Sequence, residues 1–246
     1  MKRHESYGAL LAAVLSIAIF GFAYVSAPPA STPLTFLELT TAGARDDAPL
    51  PLVVAIHGRG SSPEQFSSAF SGLNVPVRLL LPRGPERYER GFQWYPLDRP
   101  LRRESCIEAR ADQLAALIAA RSRAHPTLGA GAIVTGFSQG GVMSFALAAY
   151  HPAQIASALP IAAAMHRFMR DPLPAAHPPS LFAFHGARDP VMSLRGARRM
   201  VAAMDARGAH THLETYDAGH ELSDAMRDAM LTQLRALVRK QIAGTD

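Results

Sequence analysis

The sequence predicts an α/β fold in which helices cover both faces of a mostly parallel central sheet. From Leu34 onward, apolar runs of strand length alternate with longer amphipathic stretches, with no internal repeat and no second linker. One of these runs, Leu52–Ile56, is a continuous, largely β-branched segment of the kind that is buried on both faces in a parallel sheet. A length of 246 residues favours one large domain over two.

Seven apolar runs are short enough to be strands. In chain order they are Phe36–Leu39, Leu52–Ile56, Val77–Leu81, Ala132–Thr135, Ile155–Ile161, Leu181–Phe184 and His212–Tyr216. After the third of them, a stretch rich in Pro, Gly and Arg is predicted as a loop that reaches Tyr95.

Four segments carry helical signals. Ser62 and Pro63 provide an N-cap and a first helical residue for a short helix. Within Leu101–Arg121, apolar residues recur at helical spacing and give one buried face. Val142–Tyr150 is predicted as a helix that stops before Pro152. The last helix ends at Gly244, and its buried face is predicted to consist of Met226, Met230, Leu234, Leu237 and Val238.

Composition narrows the classes of protein. Hydrophobic residues make up 48% and charged residues 18%, which indicates a globular chain and excludes disorder or a fibrous repeat. The single cysteine, Cys106, excludes an internal disulfide and a metal site built from cysteines. The net charge of +5 comes mainly from scattered arginines that are not interleaved with aromatics in a recognition motif. We therefore expect no nucleic-acid partner.

The amino terminus has the pattern of an export signal. Lys2 and Arg3 precede an uncharged run, Tyr7–Val25, and small residues near Ala23 and Ala27 offer two cleavage sites. Left uncut, about 19 residues at ~1.5 Å each would cross a ~30 Å hydrocarbon layer. We expect residues 1–27 to be an export signal or N-terminal membrane anchor, residues 28–33 a linker, and residues 34–246 the folded domain. The protein would then be periplasmic, secreted or anchored to the membrane.

The pattern G-x-S-x-G occurs once at a predicted strand-to-helix turn, as Gly136-Phe137-Ser138-Gln139-Gly140. A nucleophile at such a sharp turn needs small neighbours, because the backbone is strained and the helix packs tightly against the strand. Ser138 is therefore a candidate nucleophile. The alternative is that Ser138 is only a helix N-cap in a glycine-rich turn.

A serine hydroxyl needs a base and a group that orients the base. In a sheet of this kind they follow in the order Ser, Asp or Glu, His, on loops at one edge. Asp189 follows the strand that ends at Phe184, and His220 follows the last strand. Asp189 could instead be a turn residue. Asp217 is a rival acid by type, but three residues before His220 we expect it to be a turn former.

The tetrahedral intermediate of ester hydrolysis needs two backbone N–H donors. We expect one donor to be the N–H of Gln139, which follows the candidate nucleophile. The other is expected to be the N–H of Arg59, in the glycine-rich loop after the predicted strand Leu52–Ile56. Trp94 and Tyr95 either line a shallow acyl or aryl pocket and contact substrate, or they pack the domain. His57 and His185 end earlier strands and are predicted to be structural donors near the site.

Taken together, several segments resemble the phospholipase/carboxylesterase branch of the α/β-hydrolases, which includes acyl-protein thioesterases and small bacterial carboxylesterases. The segments are His57-Gly58-Arg59-Gly60, Pro82–Pro85 with Trp94-Tyr95, Gly136–Gly141, Gly186–Val191 and Gly219-His220-Glu221. The resemblance implies an α/β-hydrolase fold with Ser138 as nucleophile, His220 as base and Asp189 as orienting acid. It also implies an oxyanion hole formed by Arg59 and Gln139.

Two features depart from the family pattern and bear on the substrate. Ala162–Met165 follows the predicted strand Ile155–Ile161, where the family often has Ser-Gly. The export leader is also unlike the cytosolic members of the family. Four prolines between Ala162 and Ser180 also oppose a helical lid. We therefore expect no large lid over the site.

Other chemistries do not fit the sequence. The segment from His220 to Asp224 has Asp where a zinc-binding H-E-x-x-H motif needs its second His, and Pro63 stands at the third glycine of a dinucleotide fingerprint. We expect a serine carboxylesterase for short to medium acyl esters, with a small ester as its partner and no metal or other cofactor. The alternatives are a lysophospholipase or thioesterase for longer acyl chains, and an inactive binding module of the envelope.

Overall fold

The computed structural model describes residues 33–98, 100–165 and 177–244. Three predicted parts of the chain therefore lie outside the described residues: the leader, most of the linker, and residues 166–176 of the segment where no helical lid is expected. Within these ranges no helix is both long and apolar enough to span a bilayer.

The described residues form nine strands and five α-helices. The strands are β1 (Phe36–Thr40), β2 (Leu50–Ile56), β3 (Arg78–Pro82), β4 (Glu86–Tyr88), β5 (Gly91–Gln93), β6 (Thr127–Phe137), β7 (Ile155–Ile161), β8 (Ser180–Gly186) and β9 (Thr211–Tyr216). The helices are α1 (Pro63–Phe66), α2 (Pro100–Ala124), α3 (Gln139–Tyr150), α4 (Leu194–Asp205) and α5 (Asp224–Ala243). Two short 3₁₀ helices, Ser67–Phe70 and Pro152–Gln154, complete the set.

Seven strands form the central sheet in the order β1-β3-β2-β6-β7-β8-β9. Only β1 pairs antiparallel with its neighbour, so the sheet is mostly parallel as predicted. Every residue of β2 is buried, which explains its unbroken apolar sequence. One face packs against α2, α3 and α4, and the other packs against α1 and α5. Helices on both faces are therefore confirmed.

Two strands and one helix were not predicted from the sequence. The stretch predicted as a loop contains an antiparallel hairpin of β4 and β5, each only three residues long, which is too short to show strand periodicity. Helix α4 buries only Gly196, Ala197, Met200 and Met204 among its arginines, so its apolar face is narrow. The predicted bounds of the other elements are correct to within a few residues, except that β6 begins at Thr127 rather than Ala132.

A partly buried cluster of charges stabilises the antiparallel edge of the sheet. Arg78 of β3, whose side chain is 4% exposed, donates from Nη1 to Glu38 Oε1 at 3.0 Å. Arg121 of α2 donates to both oxygens of the same carboxylate at 2.8 Å. Burial alone would raise the pKa of Glu38, but the hydrogen bonds and charges of these two arginines outweigh it and hold the pKa below its ordinary value.

We predict that Glu38→Gln lowers the free energy of unfolding by about 2 kcal/mol near neutral pH, because two guanidinium groups lose their ionised partner. Because the pKa of Glu38 is lower in the folded state, its ionised carboxylate stabilises the protein at pH values above the ordinary pKa of Glu. This stabilisation is lost as the pH falls through the folded-state pKa. The difference between wild type and variant should therefore shrink in acid. Urea denaturation near pH 7 and near pH 3 measures it.

The matched control is Asp47→Asn, which removes a carboxylate that pairs with Arg45 on the exposed surface. This variant should unfold like the wild type at both pH values, because exposed ion pairs contribute little. A Glu38→Gln variant with the same acid dependence as the wild type would contradict the prediction.

Candidate active site

Ser138 lies at the turn between β6 and α3, in a backbone conformation that non-glycine residues rarely adopt. Its φ is 56° and its ψ is −116°. The backbone N–H of Ser138 donates to Ile161 O at 2.9 Å, which holds the turn against β7. The side chain makes no capping hydrogen bond to the helix. The alternative of a simple N-cap therefore does not describe this residue.

The turn is possible because the start of α3 lies directly against the end of β2. A Cβ atom placed on Gly140 would lie 1.9 Å from Ile56 O, far inside any contact distance. Only glycine can therefore be packed at position 140. This is the small neighbour that a nucleophile at a tight strand-to-helix turn was expected to need.

His220 approaches Ser138 from the loop between β9 and α5. Its Nε2 lies 2.9 Å from Ser138 Oγ, so the hydroxyl can donate to the ring. The ring packs against Phe137, with centroids 5.2 Å apart. The base predicted from the order of the chain is thus within hydrogen-bond reach of the predicted nucleophile.

Asp189 completes the chain of contacts from the loop after β8. Its Oδ2 accepts from His220 Nδ1 at 2.7 Å, and its Oδ1 accepts from the backbone N–H groups of Val191 and Met192 at 2.8 Å. The side chain is fully buried, which by itself would raise its pKa, but these hydrogen bonds outweigh burial and lower the pKa of Asp189. The carboxylate therefore both closes its own turn and faces the histidine as an anion.

The rival acid Asp217 lies elsewhere. Its side chain is 81% exposed and forms an ion pair with Arg188. The loops that carry Asp189 and His220 are also joined by a backbone hydrogen bond, in which Ala187 N–H donates to Tyr216 O at 2.7 Å. The structure therefore places the carboxylate of Asp189, and not that of Asp217, against His220.

The two predicted oxyanion donors belong to segments beside the turn from β6 to α3 that carries Ser138, which we call the elbow. A Cβ atom on Gly58 would lie 3.5 Å from Ser138 Cβ, so the loop that carries Arg59 starts beside the nucleophile. Gln139 directly follows Ser138. Within the described part of the chain, the backbone N–H groups of Arg59 and Gln139 donate to no other group of the protein.

The structure does not support Trp94 and Tyr95 as walls of a substrate pocket. Their side chains are 0% and 2% exposed and belong to the hydrophobic core. Trp94 Nε1 donates to His57 O at 2.9 Å, so the indole fixes the backbone at the end of β2. The other interpretation of these aromatics, packing of the domain, is the one the structure supports.

His57 and His185 have structural hydrogen bonds near the site. His57 Nδ1 donates to Gly58 O at 2.8 Å, and its Nε2 accepts from Gly84 N–H at 3.0 Å. Burial lowers the pKa of His57, which favours this neutral form. His185 Nε2 donates to Met192 O at 2.8 Å, beside the turn that Asp189 closes.

Sequence reasoning missed the side-chain contacts that surround the oxyanion donors. Gln139 Oε1 accepts from Trp94 N–H at 2.9 Å, and Gln139 Nε2 donates to Tyr95 O at 2.8 Å. Arg59 Nε donates to Gln93 Oε1 at 3.1 Å. These partners are 34 to 45 residues apart in the chain, so no local pattern could have indicated them.

Within the described ranges, no cluster of three or more His, Cys, Asp or Glu side chains could hold a metal ion. The ionisable groups at the elbow are those already described. What the site presents is a serine hydroxyl, an imidazole, a buried carboxylate and two unpaired backbone N–H groups.

Solved structures with the same fold include several esterases. Esterase PE8 is 23% identical with a TM-score of 0.72, covering 83% of this chain and 99% of its own. The carboxylesterase of Bacillus cereus is 14% identical with a TM-score of 0.70, covering 85% and 94%. The carboxylesterase of Mesorhizobium loti is 19% identical with a TM-score of 0.69, covering 84% and 97%. At these identities the likeness shows the α/β-hydrolase fold.

No curated protein sequence matches this chain significantly. A family profile described as Phospholipase/Carboxylesterase matches residues 41–238, which include both predicted oxyanion residues and Ser138, Asp189 and His220. The chain therefore belongs to the phospholipase/carboxylesterase family and is a hydrolase that acts on esters.

Proposed function

We propose that this protein is a serine carboxylesterase that hydrolyses short to medium acyl esters through an acyl-enzyme. The observation that carries the proposal is the continuous hydrogen-bonded chain from Ser138 Oγ through the His220 ring to Asp189, with distances of 2.9 and 2.7 Å. Each contact has the length and order that a nucleophile, a base and an orienting acid need.

In the acylation step, His220 Nε2 takes the proton of Ser138 as Oγ attacks the ester carbonyl carbon. The carbonyl oxygen becomes an oxyanion that accepts from the N–H groups of Arg59 and Gln139. Ionised Asp189 stabilises the imidazolium that forms. When the tetrahedral intermediate collapses, the imidazolium gives its proton to the departing alcohol oxygen, and the acyl group remains on Ser138.

Deacylation repeats these events with water. His220 takes a proton from a water molecule, whose oxygen attacks the acyl carbon, and the same two N–H groups stabilise the second oxyanion. The imidazolium then returns the proton to Ser138 Oγ, and the carboxylic acid leaves. The steps use only protein groups and water.

We predict that a fluorophosphonate probe labels Ser138, and that Ser138→Ala abolishes both labelling and ester hydrolysis while the protein stays folded. His220→Ala should reduce kcat by about as much, because the groups act as a unit. Asp189→Asn should reduce kcat by roughly 10³-fold or more, since the histidine loses its anionic partner. Peptide mass analysis of the labelled protein and steady-state rates measure these effects.

The matched control for Asp189 is Asp217→Asn, which changes an exposed carboxylate on the adjacent loop. It should leave kcat unchanged. Labelling at a different serine would contradict the assignment, and a folded wild type that neither reacts with the probe nor hydrolyses any ester would support the inactive binding module instead.

The preference for short acyl chains rests on the segment from Ala162 to Ser180. A long-chain lipase gathers ~0.8 kcal/mol per buried methylene in a channel sheltered from water, usually under a helical lid. Four prolines in this segment oppose such a helix. Its described start is fixed in the core, where Ala163 and Met165 are buried. Trp94 and Tyr95 are also committed to the core rather than to an acyl channel.

We predict that p-nitrophenyl acetate or butyrate is hydrolysed with a kcat/KM higher than that of the palmitate ester by a factor on the order of ten or more. Steady-state rates along the series from acetate to palmitate measure this, with Ser138→Ala as the background. A kcat/KM that kept rising beyond the decanoate would overturn the short-chain proposal and favour a lysophospholipase or thioesterase for longer chains.

We also propose that the protein acts outside the cytoplasm, on the strength of Lys2, Arg3 and the uncharged run Tyr7–Val25. Cell fractionation should find it in the periplasm or medium if the leader is cut, and in the membrane fraction if it is not. A Leu11→Arg, Leu15→Arg variant should remain in the cytoplasm, because charges interrupt the apolar run. Recovery of the full wild-type chain as a soluble cytosolic protein would contradict the proposal.

A further inference from the structure

The two residues proposed to form the oxyanion hole are both fastened to one short segment, Gln93–Tyr95, at the end of β5. Arg59 Nε donates to Gln93 Oε1 at 3.1 Å. Gln139 binds the backbone of the next two residues through both ends of its amide, at 2.9 and 2.8 Å. A single segment, which we call the 93–95 segment, therefore contacts both donors, although neither contact involves the N–H that would face substrate.

The 93–95 segment is itself held by α2 and by the end of β2. Arg110 of α2 donates from Nε to Trp94 O at 3.2 Å and from Nη2 to Glu86 Oε1 at 3.3 Å. Trp94 Nε1 donates to His57 O at 2.9 Å. Because these anchors come from two separate elements, the segment provides a fixed reference for the positions of Arg59 and Gln139.

The Arg59 loop also pairs with β5 through its backbone. Gly60 N–H donates to Phe92 O at 2.8 Å, and Phe92 N–H donates to Ser61 O at 2.9 Å. The Arg59 guanidinium lies 3.7 Å from the centroid of the Tyr88 ring, on the same hairpin. The side chain of Arg59 thus contacts the hairpin, while its backbone N–H has no acceptor among the described residues.

The Gln93 amide lies between a cation and an anion. Its Oε1 accepts from Arg59, and its Nε2 donates to Glu86 Oε2 at 3.3 Å. Gln93 is only 8% exposed, and burying an amide is costly unless both ends are hydrogen-bonded. A carboxylate at this position could not donate to Glu86, and an apolar side chain could bind neither neighbour. Without the amide, the Arg59 guanidinium would be free to approach Glu86 directly.

We propose that Gln93 is a positioning residue for the oxyanion hole, since it holds Arg59 so that its backbone N–H and that of Gln139 face the same point. This inference rests on the proposed function. The charge these donors stabilise is absent from the bound ester and develops in the transition states and tetrahedral intermediates, so displacing one of them lowers kcat and leaves substrate binding nearly unchanged.

The test compares Gln93→Leu with the wild type on p-nitrophenyl butyrate. We expect kcat to fall by roughly ten- to a hundredfold with KM within about twofold. A short-chain trifluoromethyl ketone, which forms an oxyanion on the serine, should bind more weakly by a similar factor. A purely structural role would lower the melting temperature or the fraction of active protein without weakening the ketone selectively.

The matched control is Gln113→Ala, which also removes a glutamine side chain that accepts from an arginine, in this case Arg110 Nη1 at 2.7 Å rather than Arg59. It should keep wild-type kcat and ketone affinity.

A pair of variants keeps the test decisive if Gln93→Leu does not fold. Gln93→Glu still accepts from Arg59 but repels Glu86, whereas the double variant Gln93→Glu, Glu86→Gln restores a donor opposite the new carboxylate. We expect the single variant to lose kcat and the double variant to recover most of it. If the single variant lost kcat only because its packing was disturbed, the second substitution would not restore kcat.

Failure of this inference can be distinguished from failure of the proposed function. A wild type that neither hydrolyses esters nor labels at Ser138 would refute the proposed function. An active wild type with equal kcat and ketone affinity in Gln93→Leu would overturn the role of Gln93 alone. So would an equal loss in Gln113→Ala, or a double variant no better than Gln93→Glu.

Discussion

The close approach of α3 to the end of β2 is the constraint on which the site depends. Because residue 140 has no side chain, the helix begins against Ile56 O, where a methyl group would lie 1.9 Å away. This contact forces the turn that gives Ser138 its positive φ and presents Oγ toward His220. It also carries the amide of Gln139 to the backbone of Trp94 and Tyr95. The proposed nucleophile and one proposed oxyanion donor are thus positioned by the same helix-to-strand contact.

The second recurring feature is a carboxylate, buried in Asp189 and partly buried in Glu38, that stays ionised because hydrogen-bond donors surround it. Burial disfavours the ionised forms of Glu38 and Asp189, yet the pKa of each is lowered because donors surround it. Two arginines supply the donors for Glu38, whereas a histidine and two backbone N–H groups supply them for Asp189. The first arrangement fastens an edge of the sheet. The second uses neutral backbone groups, so the charge of Asp189 stays available to an imidazolium.

The sequence was enough to predict the sheet and most helices, because these follow from local periodicity. The sequence also placed Ser138, Asp189 and His220 in loops at one edge of the sheet, because the carboxyl ends of parallel strands lie at the same edge. It favoured Asp189 over Asp217 through the predicted turn at Asp217 and the family resemblance, whereas the fold shows directly that Asp217 is on the surface. The sequence left open whether Trp94 is buried, and it did not indicate the contacts of Gln93. Their partners are distant in the chain, and a buried aromatic has the same local sequence as one that lines a pocket.

Separate segments of the chain contribute different parts of the proposed site, and they approach Ser138 from different loops. Asp189 and His220 come from loops after β8 and β9, which are joined to each other by backbone hydrogen bonds. Arg59 comes from the loop after β2, which is joined instead to the β4–β5 hairpin. A hydrogen-bonded Ser-His-Asp chain can therefore be intact while the oxyanion donors are displaced. For this reason the motifs that identify the family do not by themselves determine the catalytic rate, which depends also on contacts such as that between Gln93 and Arg59.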